Sequence, residues 1–167
     1  MRRTAVITAG SVVAALTTAA VLAASGGADA PAATTIRLVT KDCTRKLIDV
    51  APRMRGFSDG PGAGDRLAGS CPTFDGAGKR AGTFDYTCSF TKGGRRARVL
   101  CESVYALAGG DLYTLARPDG EKEAGSGPIV GGTRTYAGTR GTFTSVERPG
   151  GTETNGVPKD DTITLLP

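Results

Sequence analysis

Apolar and polar residues alternate most regularly between residues 83 and 91 of the chain. Every second position in this run is apolar, namely Phe84, Tyr86, Cys88 and Phe90, and the positions between them carry threonine, serine or aspartate. Successive side chains of a β-strand point to opposite faces. The period of two therefore predicts a strand with one apolar face.

A second alternating run follows a glycine-rich turn at residues 92–95. Its predicted inward positions are Ala97, Val99, Cys101, Ser103, Tyr105 and Leu107. Glycine accepts the positive φ that tight hairpin turns require, so we expect the two runs to form a hairpin. A register centred between Gly94 and Arg95 places Cys88 opposite Cys101 on the apolar face.

The four cysteines predict two disulfides. Cross-strand neighbours on one face are close enough to bridge, so we expect Cys88 to pair with Cys101, which leaves Cys43 to pair with Cys71. One alternative is that Cys88 and Cys101 are buried free thiols that pack as small apolar residues. A zinc site is the other alternative, but the chain has no CxxC and no histidine, so we predict no metal.

Shorter runs between turn signals predict seven further strands. They are Ile36–Lys41, Arg45–Val50, Asp65–Thr73, Asp111–Arg117, Pro128–Tyr136, Thr139–Glu147 and Asp161–Leu166. Many short strands with glycine-rich turns indicate an all-β sandwich or a closed barrel, and composition does not choose between the two. The segment Met54–Gly64 is long enough to be either a lid or a loose connection.

The N-terminus has the three parts of a secretory signal peptide. Arg2 and Arg3 precede a run from Ala5 to Ala24 that contains no charged residue, and small residues follow it. An uncleaved membrane anchor is the alternative, because the run is close to the roughly 20 residues that span a bilayer. Its threonine, serine and glycine content favours the signal peptide.

Cleavage is expected after Ala32, because cleavage after Ala30 would leave Pro31 as the first mature residue. The predicted organisation is a signal peptide over residues 1–32 and a single domain over residues 33–167. We therefore predict a secreted, extracellular protein that has no contact with a membrane after signal cleavage. An oxidising exterior agrees with the predicted disulfides.

Charge and composition exclude several functions. The formal charge of +5 becomes +4 without Arg2, Arg3 and Asp29, and the one basic cluster, Arg95–Arg98, has no aromatic stacking pattern beside it. We therefore predict no nucleic-acid partner. The absence of histidine excludes Ser-His-Asp and Cys-His catalysis as usually built.

Four segments, in order along the chain, resemble the barrel superfamily of allene oxide cyclases and dirigent proteins, in particular its bacterial secreted members. They are Gly64-Asp65-Arg66 at a strand start, the hairpin FDGAGKRAG at residues 74–82, LCESVYALAGGDL at residues 100–112 and VGGTRTYAGTRG at residues 130–141. The resemblance covers roughly residues 37–166. It implies an eight-stranded antiparallel β-barrel with an apolar cavity at one end, and relatives of this kind are often homotrimers.

A barrel of eight strands can hold one small ligand or fill its interior with its own side chains. The candidate ligand-binding residues in the barrel interior are Phe84, Tyr86, Phe90, Ser103, Tyr105 and Tyr113. The hydroxyl groups among them could bond a carbonyl or hydroxyl of a ligand. We predict a small apolar molecule as partner and no cofactor.

The resemblance does not carry over to catalytic residues. Plant cyclases hold their epoxide substrate with a glutamate and an asparagine on the first strand, where this chain has neither, and Asn155 is its only asparagine. Cys88 matches a family cysteine that lines the barrel, but an oxidised Cys88 cannot act as a thiol. For a buried general acid, Asp85 and Glu102 are predicted to point outward, and the candidates of undetermined facing are Asp49, Asp111 and Glu147.

Three functions follow from the sequence. The first is binding of a small apolar ligand in the barrel without chemistry. The second is stereocontrol of the dirigent or cyclase kind, which needs a convergent polar group inside, ideally a carboxylate with a raised pKa. The third is an extracellular scaffold or protein-interaction module, which a filled barrel interior would favour.

Overall fold

The structure is a computed structural model that describes residues 32–48, 61–94, 97–118, 125–149 and 157–167. These ranges contain nine strands and one short 3-10 helix: β1 Thr34–Thr40, β2 Thr44–Ile48, β3 Arg66–Phe74, β4 Arg80–Lys92, β5 Arg98–Leu107, β6 Gly110–Ala116, β7 Gly125–Gly132, the helix Arg134–Tyr136, β8 Arg140–Glu147 and β9 Lys159–Leu166. Within them, no helix is long and apolar enough to cross a membrane. Residues 1–31 of the predicted signal peptide (residues 1–32), the candidate Asp49 and most of Met54–Gly64 lie outside the described residues.

Antiparallel pairing closes eight of the strands into a barrel. The sheet order runs β1-β9-β8-β7-β6-β5-β4-β3-β2, and an additional pairing of β1 with β3 closes the ring. The predicted eight-stranded antiparallel barrel is confirmed. The ninth strand, β2, pairs with β3 beyond the point where β1 ends.

The strands β1 and β2 follow β3 as one interrupted strand. Thr40 lies opposite Thr73, and Thr44 lies opposite Ser70, so the pairing with β3 resumes after a short break with its register shifted by one residue. Asp42, in the break, has a φ of 54°, a conformation that aspartate adopts more readily than most residues. The strand β9 pairs with β1 and not with β2. The strand β2 therefore extends the barrel wall at one end, beyond the point where β1 stops.

The central hairpin has the predicted register. Cys88 lies opposite Cys101, and Gly94 in the turn has a φ of 82°. The disulfides Cys88–Cys101 and Cys43–Cys71 are both formed, and the structure contains no free cysteine in its described part. The predicted pairing is therefore confirmed, and the alternatives of free thiols and a zinc site are wrong.

One predicted strand, Pro128–Tyr136, is wrong in its second half. The strand β7 ends at Gly132, and the chain turns through the short helix Arg134–Tyr136. Arg134 has a φ of 50°, and the backbone N–H of Asp111 donates a hydrogen bond of 2.9 Å to the Thr133 hydroxyl. A β-carbon on Gly132 would lie 2.6 Å from the carbonyl oxygen of Tyr136, so this turn requires glycine.

One half of the barrel interior, which we call the filled half, is packed with large side chains. Its members are buried to 7% exposure or less: Leu38, Tyr105, Leu112, Ile163 and Leu165. The ring of Tyr105 lies 4.5 Å from that of Phe84 and 6.4 Å from that of Phe143, measured between centroids. Residues of six strands therefore meet in one apolar cluster at this end.

Candidate ligand-binding cavity

The other half of the interior, which we call the hollow half, encloses an open cavity of about 410 Å³. It lies at the end where β4, β6 and β8 finish and β5, β7 and β9 begin. The apolar residues that line it include Leu67, Phe84, Phe90, Val99, Ala116, Phe143 and Val157. The alternation of each strand supplies these side chains, since every second residue faces inward.

Both disulfides line the cavity. Cys88 and Cys101 form a cross-strand bridge in its wall, and Cys43 reaches over from the break between β1 and β2 to Cys71. A disulfide is compact and apolar, so each bridge forms part of the cavity wall without filling the cavity. The second bridge also fixes the position of β2 beside the mouth.

Tyr86 lies across the wall because its neighbour on β3 is a glycine. Gly69 pairs with Tyr86, and a β-carbon on Gly69 would lie 2.5 Å from the Tyr86 hydroxyl oxygen. The Tyr86 ring stacks on Phe84 with a centroid separation of 5.6 Å. The missing side chain at position 69 therefore gives Tyr86 the space it occupies.

A buried carboxylate, Asp161, lies below the cavity at the boundary with the filled half. It is 2% exposed, and hydrogen bonds from Ser145 and Thr40, which line the cavity, stabilise its charge. Burial has the larger effect and raises the pKa of Asp161 from 3.8 to about 6. Asp161 is therefore a group that exchanges a proton near neutral pH.

Tyr105 lies beside Asp161 in the same buried region. Burial, and next the negative charge of Asp161, raise the pKa of the Tyr105 hydroxyl well above its usual value. The Tyr105 hydroxyl also bonds the Asp161 carboxyl, and this contact further raises the pKa of Tyr105 and lowers that of Asp161. The phenol and the carboxyl are therefore partners of each other beneath the cavity.

Sequence reasoning missed Asp161 although the signal is present. Asp161, Ile163 and Leu165 alternate with Thr162 and Thr164, which places the aspartate on the apolar face of β9. All three are buried. A carboxylate in phase with an apolar face is the pattern that would have identified it.

Of the six predicted interior residues, Phe84, Tyr86, Phe90 and Ser103 line the cavity, and Tyr105 is fully buried beneath it. Their role in ligand binding remains a prediction. The Ser103 and Thr114 hydroxyl oxygens lie 2.6 Å apart and share a hydrogen bond across the wall.

The inward placement of Tyr113 is wrong. Its side chain is 41% exposed, and it lies opposite Val104 on the outer face of the barrel. The short turn between β5 and β6 places Leu107 opposite Gly110, and this register directs Leu112 and Thr114 inward. Because strand residues alternate, Tyr113 between them points outward.

The predicted acid candidates contribute no carboxylate to the cavity lining among the described residues. Glu102 is exposed, as expected, and Asp111 accepts a backbone hydrogen bond from Thr133 through its carbonyl oxygen. Glu147 lies opposite Lys159 in the β8–β9 ladder. In the described part of the chain, no three histidine, cysteine, aspartate or glutamate side chains are grouped as for a metal ion.

Two basic side chains, Arg45 and Lys159, line the cavity. Arg45 lies on β2 opposite Gly69, and Lys159 lies at the start of β9 opposite Thr40. They therefore approach the cavity from strands at either side of the point where β1 ends. The cavity lining is apolar in its depth and basic at these two positions.

The sequence matches no protein-family model and no curated protein. Solved structures do match. A pyocyanin demethylase has 22% identity over 80% of this chain and 100% of its own, with a TM-score of 0.61. The pterocarpan synthase dirigent protein GePTS1 has 17% identity over 80% of this chain and 84% of its own, with a TM-score of 0.62.

The Diels-Alderase AbmU from Streptomyces koyangensis is a third similar structure. It has 17% identity over 80% of this chain and a TM-score of 0.60, and this chain spans 63% of its length. At such identities the likeness shows the fold alone. This chain has the barrel fold shared by dirigent proteins and cyclase-like barrels, as its sequence motifs suggested.

Proposed function

We propose that this protein is an exported barrel that binds one small, largely apolar molecule in its cavity. The observation that carries the proposal is the open cavity of about 410 Å³ with aromatic and aliphatic walls. Pockets for small molecules typically enclose about 300 to 1,000 Å³. An interior completely filled by side chains would have favoured a scaffold role, and the cavity argues for a ligand instead.

The affinity expected from such a cavity is moderate. Burial of about 300 Å² of apolar ligand surface supplies roughly 7 kcal/mol before the cost of association is subtracted. Micromolar binding is therefore the expected range. Ser103 and Tyr86 line the cavity. Polar contacts to them would determine the orientation of the ligand and would contribute less to its affinity than apolar burial does.

Export is the second part of the proposal. Two disulfides are typical of an oxidising compartment, and the uncharged run from Ala5 to Ala24 follows two arginines. Maturation after Ala32 would start the secreted chain at Ala33. Intact mass of the protein from its culture medium tests this start, and two disulfides make that mass about 4 Da lower than the reduced mass.

A second candidate function is stereocontrol with proton transfer, and Asp161 is the observation that favours it. The carboxyl has a pKa of about 6 and bonds to Ser145 and Thr40, which line the cavity. A group with a pKa near the operating pH can both donate and accept a proton. Bound in an apolar space, a reactive ligand would be held in one conformation while Asp161 exchanges a proton through the Ser145 hydroxyl.

Native mass spectrometry of the mature protein, purified from its own culture medium, tests ligand binding. We expect a mass excess under native conditions that disappears on denaturation. The variant Ala116→Phe should lose the excess, because Ala116 is a cavity residue opposite Cys101 and the larger ring enters the cavity.

The matched control is Ala68→Phe, which adds the same ring on the outer face of β3, between Lys46 and Thr87. It should keep the mass excess. A bare polypeptide mass for the wild type, together with no uptake of any added aromatic compound, would refute the binding proposal.

A further inference from the structure

We infer that the ligand of this cavity is an amphipathic anion, whose apolar body lies in the hollow half and whose carboxylate or similar oxyanion is held between Arg45 and Lys159. This inference rests on the proposed binding function and specifies its ligand class. It follows from the two positively charged side chains at the mouth of the cavity, which a purely apolar binding site would not have.

The described cavity lining contains two cationic side chains and no carboxylate. Arg45 and Lys159 supply the positive charges, and the remaining polar lining is uncharged. A neutral apolar ligand would gain nothing from this arrangement. A ligand with one negative charge would gain Coulomb attraction and charge-assisted hydrogen bonds.

The pairing of β2 with β3 and of β3 with β4 places Arg45 on the side of its strand that faces the cavity. Arg45 lies opposite Gly69, which lies opposite Tyr86, and all three are on the inward face of their strands. Gly69 has no side chain to separate its two neighbours. The hydroxyl end of Tyr86 lies over Gly69, so a phenol donor and a guanidinium approach the same part of the mouth.

The Cys43–Cys71 disulfide holds this part of the mouth in place. It joins the break before β2 to the buried end of β3, two residues from Arg45 in sequence. Without it, β2 would be held by its pairing with β3 from Thr44 to Ile48. The bridge therefore fixes the backbone of β2 beside the cavity, so that binding of an anion needs to order only the Arg45 side chain.

Lys159 provides the second positive charge from the β9 side. Thr40 and Glu147 are its neighbours on the two adjacent strands, and Asp161 is two residues further along β9. Neither carboxylate lines the cavity. Because Glu147 faces Lys159 in the ladder, we assign the larger contribution to Arg45, whose planar guanidinium can also bond a carboxylate with two parallel hydrogen bonds.

The test compares two ligands that differ in charge and little in shape, 2-naphthoate and 2-naphthamide. Isothermal titration of the mature protein with each should give about tenfold tighter binding of the naphthoate, the range expected for one or two charge-assisted contacts at a partly open mouth. Arg45→Gln should remove most of this preference, and Lys159→Gln should remove a smaller part. Naphthamide affinity should stay within about twofold of the wild type in both variants.

The matched control is Lys46→Gln, which removes the same charge from the adjacent, outward position of β2. It should keep the naphthoate preference. Equal affinities of the wild type for the two ligands would overturn the inference and leave the binding proposal standing, as would equal weakening of both ligands by Arg45→Gln. Failure of the wild type to bind either ligand would also overturn the inference, and the native mass of the wild type would then decide the binding proposal separately.

Discussion

The two halves of the barrel interior use the same strands in different ways. In the filled half, Tyr105, Leu112 and Ile163 are 0% exposed and belong to one buried apolar cluster. In the hollow half, small residues such as Ala116 and Gly125 lie among larger ones such as Phe90, and the space between them stays open. Each half therefore has its own source of stability.

Covalent bonds add to packing in the hollow half. Both disulfides line the cavity, and Cys88 and Cys101 also belong to the buried apolar cluster that continues into the filled half. A cavity gives up the dispersion contacts that close packing would supply. This barrel therefore keeps an open cavity while side-chain packing stabilises one end and cross-links help to stabilise the other.

The largest stability effect is expected in the filled half. Ile163→Ala should lower the free energy of unfolding by about 2 to 5 kcal/mol, because it removes buried methylene groups from a site with no exposed surface. Val99→Ala, in the hollow half and half-buried, should cost less than about 1.5 kcal/mol. Urea unfolding of the two oxidised variants measures both values.

Equal costs for the two variants would contradict the comparison, since they would mean that the hollow half is packed as tightly as the filled one. Ligand affinity gives an independent measure. Val99 lines the cavity and Ile163 does not, so Val99→Ala should change naphthoate binding more than Ile163→Ala does.

Loss of the cross-links should destabilise the hollow half. Replacing Cys88 and Cys101 by alanine should cost about 3 kcal/mol by the chain-entropy estimate, and replacing Cys43 and Cys71 slightly more, because its loop is longer. The second pair of substitutions should also weaken naphthoate binding, since it releases Arg45. Urea unfolding and titration calorimetry separate the two effects.

An unchanged affinity after loss of Cys43–Cys71 would show that pairing with β3 alone fixes Arg45. A loss of stability below about 1 kcal/mol for either pair would mean that packing, and not cross-linking, stabilises the hollow half. Each outcome would contradict the role that we assign to a specific disulfide.

The sequence predicted the hairpin, the disulfides and most of the strand positions well, because these depend on local alternation and on one register. The pairing of Cys88 with Cys101 follows from the two-residue period and from the turn that Gly93 and Gly94 mark. The end of β7 at Gly132 was missed, because the turn there depends on a contact with Tyr136 that the local pattern does not show. Tyr113 was misplaced since the register of β6 depends on the length of a single turn.

The site was harder to predict than the fold. Phe84 and Tyr86 follow from alternation, but the hollow space between them depends on which small residues of β6 and β7 face inward. Asp161 was missed because its strand was assigned without assigning its faces. The pKa of its carboxyl depends on burial and on hydroxyl groups from β1 and β8, which only the closed barrel brings together.

Asp161 lies at the boundary of the two halves, and its ionisation should oppose stability. Its pKa is raised from 3.8 to about 6 on folding, so the folded protein keeps this proton to higher pH than the unfolded chain does. The stabilising contribution is complete below the unfolded pKa and is lost as pH rises through the folded pKa. From below 3.8 to above 6, the wild type should therefore lose about 3 kcal/mol relative to Asp161→Asn.

Urea unfolding of both proteins from pH 3.5 to pH 7.5 measures this difference on the scale set by the linkage relation, roughly 1.4 kcal/mol for each pH unit. The control is Glu102→Gln, which makes the matching change from carboxylate to amide on the exposed face of β5. A wild type that gains stability over Asp161→Asn as pH rises would reverse the assigned sign and remove the proton-transfer candidate.

The smallest effect is expected at Gly69, where the hollow half should tolerate a change that the filled half would not. A β-carbon there would lie 2.4 Å from the Tyr86 ring, but the ring borders open space and can move into the cavity. Gly69→Ala should therefore cost less than about 1 kcal/mol in stability while weakening naphthamide binding several-fold. Gly131→Ala, where an added β-carbon meets nothing within 4 Å, is the control for glycine replacement in a strand. If Gly69→Ala destabilised the barrel by about 3 kcal/mol or more, Tyr86 would be confined as in a packed core, and the hollow half would have no room to yield.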